Sequence, residues 1–170
     1  MITPTNIFVG EINVVATDCD NGRLQHFIDK YEPEILKEIL GQELYNDVSN
    51  ASSPTGDLDI LINGGSYTVD GIDYKFKGLK YITAGFIYYW YQRDNSYNVA
   101  QTGGSKPKFE NSTTISMGFK MAQAWNQSTE LIGYGKCNKK TETLRHFLTN
   151  SSITNYKIKN YKGGKINMQW

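Results

Sequence analysis

Cysteine, histidine and proline are scarce in this sequence, and none falls in a pattern that carries chemistry. Two cysteines occur in 170 residues, Cys19 and Cys137. They are too few and too far apart for a disulfide framework, and neither belongs to a C-x-x-C pair. The two histidines, His26 and His146, each sit on a segment of helical periodicity. No H-x-x-H, H-E-x-x-H or Cys/His cluster accompanies them, so the ligand spacing of a metal site is missing. The longest apolar run, Ala84–Tyr91, is too short to span a bilayer. The first seventeen residues lack the basic start of a signal peptide. The expectation is a protein made in cytoplasm, with no membrane partner.

Catalytic patterns are equally thin. Asp57/Asp59 and Asp70/Asp73 are acid pairs of the kind a carboxylate-based hydrolase needs. One pair also suits a helix start and the other a hairpin turn, where Asp is favoured locally. Gly103-Gly104-Ser105-Lys106 and Gly133-Tyr134-Gly135-Lys136 lack the Walker spacing of a phosphate loop. We expect no enzyme activity, no catalytic residue, no metal and no cofactor.

Aromatic residues, in contrast, are abundant: 12 Tyr, 7 Phe and 3 Trp make up 13% of the chain. Tyr suits a surface that is dry on one side and wet on the other, so an interface role and a Tyr-rich core both stay open. Charge is lopsided under a net of +1. Residues 1–73 carry thirteen acids against Arg23, Lys30 and Lys37, whereas residues 131–170 carry eight basic residues against Glu142 alone. Copies arranged head-to-tail would use that separation. Mutual neutralisation of the two ends within one chain, or nucleic-acid contact by the basic end, would account for it as well.

The patterning predicts a single mainly α domain over 1–170: a small helical bundle with a β-hairpin insertion and extended N- and C-terminal arms. Residues 1–17 alternate loosely and read as an extended arm, with a short strand. Within the core, 18–150, a helix follows Asp20–Asn21 with Leu24, Phe27, Ile28 and Tyr31 in register. Pro33 is expected to open a second helix at its first turn, with Glu32 and Glu34 complementing the dipole there. Gly41 suits the end of that helix. Short helices are predicted over 42–49 and 57–63. Asp70-Gly71 between alternating segments marks a hairpin over 66–77. Residues 78–94 form the clearest helix, apolar nearly all round and therefore central. A Gly/Ser/Lys loop, a long helix over about 110–132 and a short helix around Leu144, Phe147 and Leu148 follow. The tail 151–170 is polar, basic and periodically aromatic.

Ile28-Asp-Lys-Tyr-Glu-Pro-Glu-Ile-Leu-Lys-Glu-Ile-Leu-Gly-Gln-Glu-Leu-Tyr45 resembles the opening signature of a phage family. Its continuation is Phe76-Lys-Gly-Leu79 running into the aromatic helix Tyr81–Tyr91. The Gly-rich loop at Thr102–Gly104 and the helix with Trp125 and Asn126 complete the pattern. Over roughly residues 20–150 the chain resembles the head–tail connector (neck adaptor, or ring) proteins of tailed phages, including ring proteins of crAss-like phages. The resemblance implies a virion protein in the head–tail neck. It would form a ring, a dodecamer in the family's usual form, docked beneath the portal protein. Such a ring extends the channel for DNA, which passes without sequence-specific binding, and carries further neck or tail proteins. It implies no catalytic residue.

Arm and tail lie outside the resemblance. From composition, the tail is expected to reach a neighbour or the portal, with Tyr156, Tyr161 and Trp170 anchoring while Lys157, Lys159, Lys162 and Lys165 steer. The arm is expected to reach across in the same way. An acidic channel wall would let DNA slide without sticking. The rival readings are a non-viral aromatic-rich module binding carbohydrate or peptide, a carboxylate hydrolase, and a small DNA-binding protein using the basic tail.

Overall fold

Five side chains spaced four apart, Leu24, Ile28, Glu32, Leu36 and Leu40, are all buried in the computed structural model. They explain its longest helix, because residues four apart share a helix face. The structure describes residues 1–12, 14, 21–95, 99–100, 103–104, 117–133 and 142–154. Helix α1 runs Asn21–Leu40 without interruption and holds Pro33 inside it. The expected second helix opening at Pro33 is therefore corrected to one continuous helix. An internal proline removes one hydrogen bond and costs ~3 kcal/mol. The buried row on both sides of it outweighs that penalty.

Gly41, with φ +80°, donates its N–H to the Lys37 carbonyl and ends α1. Helices α2 (Gln42–Asn50) and α3 (Gly56–Asn63) follow, then strands β1 (Gly65–Val69) and β2 (Ile72–Phe76). The strands pair antiparallel, with Tyr67 opposite Tyr74 and Thr68 opposite Asp73. The predicted hairpin is in place around Asp70-Gly71. Helix α4 (Leu79–Asn95), the two-residue strands β3 (Val99–Ala100) and β4 (Gly103–Gly104), α5 (Met117–Ile132) and α6 (Leu144–Asn150) complete the order. The chain is mainly helical with a two-stranded hairpin, as its patterning predicts.

Helix α4 is the axis of the fold. Its Leu79, Ile82 and Phe86 join a cluster with α2, α3, the hairpin and α6. Its Ala84, Ile87, Tyr88 and Tyr91 join a second cluster with Leu24 and Ile28 of α1 and Ala124 of α5. The close approach of α5 depends on Gly85. A Cβ there would overlap Ser128 Oγ and lie 3.1 Å from the Ala124 carbonyl oxygen.

The N-terminal segment differs from expectation. Short 3-10 turns occupy Thr5–Ile7 and Gly10–Ile12 in place of a strand. Phe8, Ile12 and Val14 are buried in the second cluster, so the described part of the arm lies on its own chain. Burying those three apolar side chains, each worth ~1.5–3 kcal/mol, favours docking over reaching outward. At the other end, Ser151–Thr154 also belong to the body. Ile153 packs against the first cluster, and Asp57 accepts both the backbone N–H and the hydroxyl of Ser152 at 2.7 Å.

Candidate functional site

The N-terminal half of α1 runs antiparallel to the C-terminal half of α4. Arg23 pairs with Asp94 at 2.6 Å. One turn on, Phe27 meets Tyr91 edge-on at 5.5 Å between centroids. A further turn on, Tyr31 stacks on Trp90 at 5.1 Å with only 4° between the planes. These three contacts place cations from distant parts of the sequence around one aromatic floor. Lys30 Nζ stands 4.8 Å over Tyr31, and Arg93 Cζ stands 5.1 Å over Trp90. The open cleft between the helices measures about 580 Å³ and is lined by Arg23, His26, Lys30 and Arg93 over Phe27, Tyr31 and Trp90, with Asp94 at its edge. The floor continues across α4 to α5, where Trp125 meets Phe86 and Tyr89 at 4.8 and 4.9 Å.

This arrangement favours anions. A ring's edge is electropositive and its face electronegative. In this cleft Tyr31 and Trp90 each turn one face to the other ring, and a cation stands over each ring, each such cation–π contact being worth ~0.5–1 kcal/mol at an exposed site.

The opposite charge gathers further along the chain. Glu34 and Glu38 are exposed one turn apart on α1, and Glu43 and Asp47 are exposed one turn apart on α2. Residues four apart on a helix lie side by side, so these form two short carboxylate stripes. Leu44 and Val48 hold the other side of α2 in the core. Among the described residues no cation lies within ion-pair distance of these four carboxylates or of Asp70.

A third constellation is structural. Tyr67 of β1 hydrogen-bonds its hydroxyl to His146 Nδ1 of α6 at 2.6 Å, and its ring meets Phe147 edge-on at 5.1 Å. Burial pushes the Tyr67 phenol up to about 12, with smaller contributions from the neighbouring Tyr74 and Glu142. Phe76 stacks on Phe147 at 5.3 Å, so the contact ties the hairpin to α6.

The acid pairs weighed as hydrolase candidates are engaged in hydrogen bonds and in the hairpin turn. Asp57 holds Ser152, and Asp59 accepts from Asn63 at 2.5 Å. Asp73 accepts from the Thr68 hydroxyl at 2.7 Å, and Asp70 forms the hairpin turn. Among the described residues, no three His, Cys, Asp or Glu side chains converge as a metal site would require. Gly103 and Gly104 form β4 and Gly133 follows α5, whereas Ser105, Lys106, Tyr134, Gly135 and Lys136 lie outside the described residues. So do Cys19, Cys137 and all seven tail residues singled out from the sequence: Tyr156, Lys157, Lys159, Tyr161, Lys162, Lys165 and Trp170.

Sequence reasoning missed the cleft, because its cations at 23, 30 and 93 meet only through the antiparallel pairing of α1 with α4. It also placed Glu32 at a helix start, complementing the dipole there. Glu32 is 3% exposed, and its carboxylate accepts the backbone N–H groups of Ile2 and Thr3 at 2.8 and 2.7 Å. Its place in the four-spaced row is the signal that would have found it.

No family model, curated protein or solved structure matches this chain.

Proposed function

We propose that this chain is a structural virion protein. Copies assemble into a ring beneath the portal, joining phage head to tail and extending the DNA channel. The observation that carries the reading is the acidic surface of α1 and α2, which no cation pairs with among the described residues. Glu34, Glu38, Glu43 and Asp47 are exposed and have no cation at ion-pair distance among the described residues, while residues 155–170 carry Lys157, Lys159, Lys162 and Lys165. A closed heterologous assembly matches such faces between copies, since one patch of each subunit binds a different patch of the next. Many moderate contacts around a closed ring add up to a stable whole. The likeness of residues 20–150 to head–tail connector proteins points the same way.

In this reading residues 155–170 supply contacts to a neighbour or to the portal, with Tyr156, Tyr161 and Trp170 as anchors. The body holds its own as far as Thr154. A chain ending there keeps the Ser152–Asp57 anchor and removes only the basic aromatic segment. Light scattering and negative-stain imaging, with and without a portal, test the proposal. The full chain is expected to form rings or to bind the portal, and the chain ending at Thr154 to lose the part of that association that residues 155–170 supply. A full chain that stays monomeric and ignores the portal overturns the reading.

A further inference from the structure

We infer that the cationic aromatic cleft between α1 and α4 is a docking site for the carboxylate stripes on α1 and α2 of a second copy of this chain. The inference rests on the assembly reading and gives the stripes a partner on the folded body of the next copy, in addition to the basic residues of 155–170.

Three observations carry it. The first is charge complementarity. Lys30 and His26 project from the first half of α1 into the cleft beside the Arg23–Asp94 pair, while Glu34, Glu38, Glu43 and Asp47 are exposed beyond it. The second is separation. At 1.5 Å per residue, Arg23 and Glu38 stand on the order of 20 Å apart along one helix, with α2 further still. One molecule cannot fold its stripe into its own cleft, but two copies can meet head-to-tail and leave a free cleft and a free stripe at the ends. Such a contact repeats and either closes a ring or extends a filament.

The third is the chemistry of the floor. Tyr31 and Trp90 stack on each other, and Lys30 and Arg93 lie over them. Nucleobases bind single-strand sites by stacking on open aromatic faces, and these faces are occupied. Asp94 is exposed at the edge of the cleft and pairs with Arg23. That pair breaks the run of positive charge that a phosphate backbone would follow. The cleft therefore fits an acidic protein helix better than a nucleic-acid strand.

A charge swap tests it in the full chain. One variant, His26→Glu with Lys30→Glu, gives the cleft the sign of the stripe. The other, Glu43→Lys with Asp47→Lys, gives the stripe the sign of the cleft. All four side chains are exposed, and circular dichroism checks that each variant keeps its helices. Sedimentation velocity at low salt then reads self-association. Each variant alone is expected to associate about tenfold or more weakly than wild type. An equimolar mixture is expected to recover association, since each reversed face then meets its complement. Rising salt should weaken both the wild type and the mixture. If wild type associates and both variants match it, the cleft is not the interface and the assembly reading stands without it. If the variants weaken but the mixture recovers nothing, the pairing of these two faces is overturned. If wild type never associates, both the inference and the assembly reading fall. A cleft variant that associates normally but loses binding to duplex DNA overturns the inference in favour of a phosphate site.

Discussion

Glu32 holds Thr3 in place from the middle of a helix, its carboxylate oxygen 2.7 Å from the Thr3 backbone nitrogen across 29 residues of sequence. The other oxygen takes the Ile2 N–H at 2.8 Å. A hydrogen bond to a charged group contributes ~1.5–3 kcal/mol, and the donors would be left unpaired without it. Glu32→Ala should therefore destabilise the fold by about 2–4 kcal/mol and release the N-terminal segment. Glu32→Gln, which turns an NH₂ group toward one of the two donors, should cost less. Urea unfolding gives the stability, and limited proteolysis before Phe8 reports the release. Wild-type resistance in Glu32→Ala would show that the apolar contacts of Phe8 and Ile12 suffice by themselves.

Gly85 sets how closely α4 and α5 approach. Because an added methyl meets Ser128 Oγ and the Ala124 carbonyl, Gly85→Ala should cost about 1–3 kcal/mol by overpacking. The first obstacle is a single side-chain atom. Adding Ser128→Ala to Gly85→Ala should then recover part of the loss, which a double-mutant cycle on thermal or urea stability would read as coupling. Strictly additive losses would mean that the helices move apart instead.

These positions show how unevenly the sequence reveals its structure. The hairpin was legible because Asp70-Gly71 is a local signal between alternating residues, and α4 because it is apolar on every side. Pro33 misled because a local rule was applied where the row from Leu24 to Leu40 decides the outcome. The arm misled because Phe8 and Ile12 find their partners on helices more than ten residues away. The cleft was hidden for the same reason: nothing near Arg23 or Lys30 announces that Trp90 and Arg93 will lie beside them. Local chemistry writes turns and caps into the sequence, whereas juxtaposition across helices is settled by packing.

The hairpin turn needs left-handed backbone at two successive residues, Asp70 at φ +52° and Gly71 at φ +78°. A side chain at the second position pays a steric penalty of roughly 1–2 kcal/mol. Gly71→Ala should lower stability by about that much, whereas Asp70→Asn, equally at home in this conformation, should change it by only a few tenths of a kcal/mol. Thr68 and Asp73 still bridge the strands in both variants. Chemical denaturation separates the two cases. Equal losses at both positions would mean that the Asp70 carboxylate matters to the turn as much as its left-handed backbone does.

Alkaline stability should depend on Tyr67. Its phenol is pushed from 10.0 up to about 12, chiefly by burial and then by Tyr74 and Glu142. The folded state thus favours the neutral hydroxyl, and unfolding exposes a group that ionises near pH 10. The resulting stabilisation is whole below pH 10 and is lost as the pH rises through about 12. Tyr88, also pushed up by burial, acts in the same direction. Thermal melts of wild type should therefore fall steeply across that interval. Tyr67→Phe removes the partner of His146 Nδ1 and should cost about 1 kcal/mol at neutral pH, but its melting temperature should fall less steeply above pH 10. The two curves should converge as the pH rises. Parallel curves would show that Tyr67 ionises in the folded chain as readily as in the unfolded one, and that the contact with His146 holds the hairpin to α6 without excluding charge.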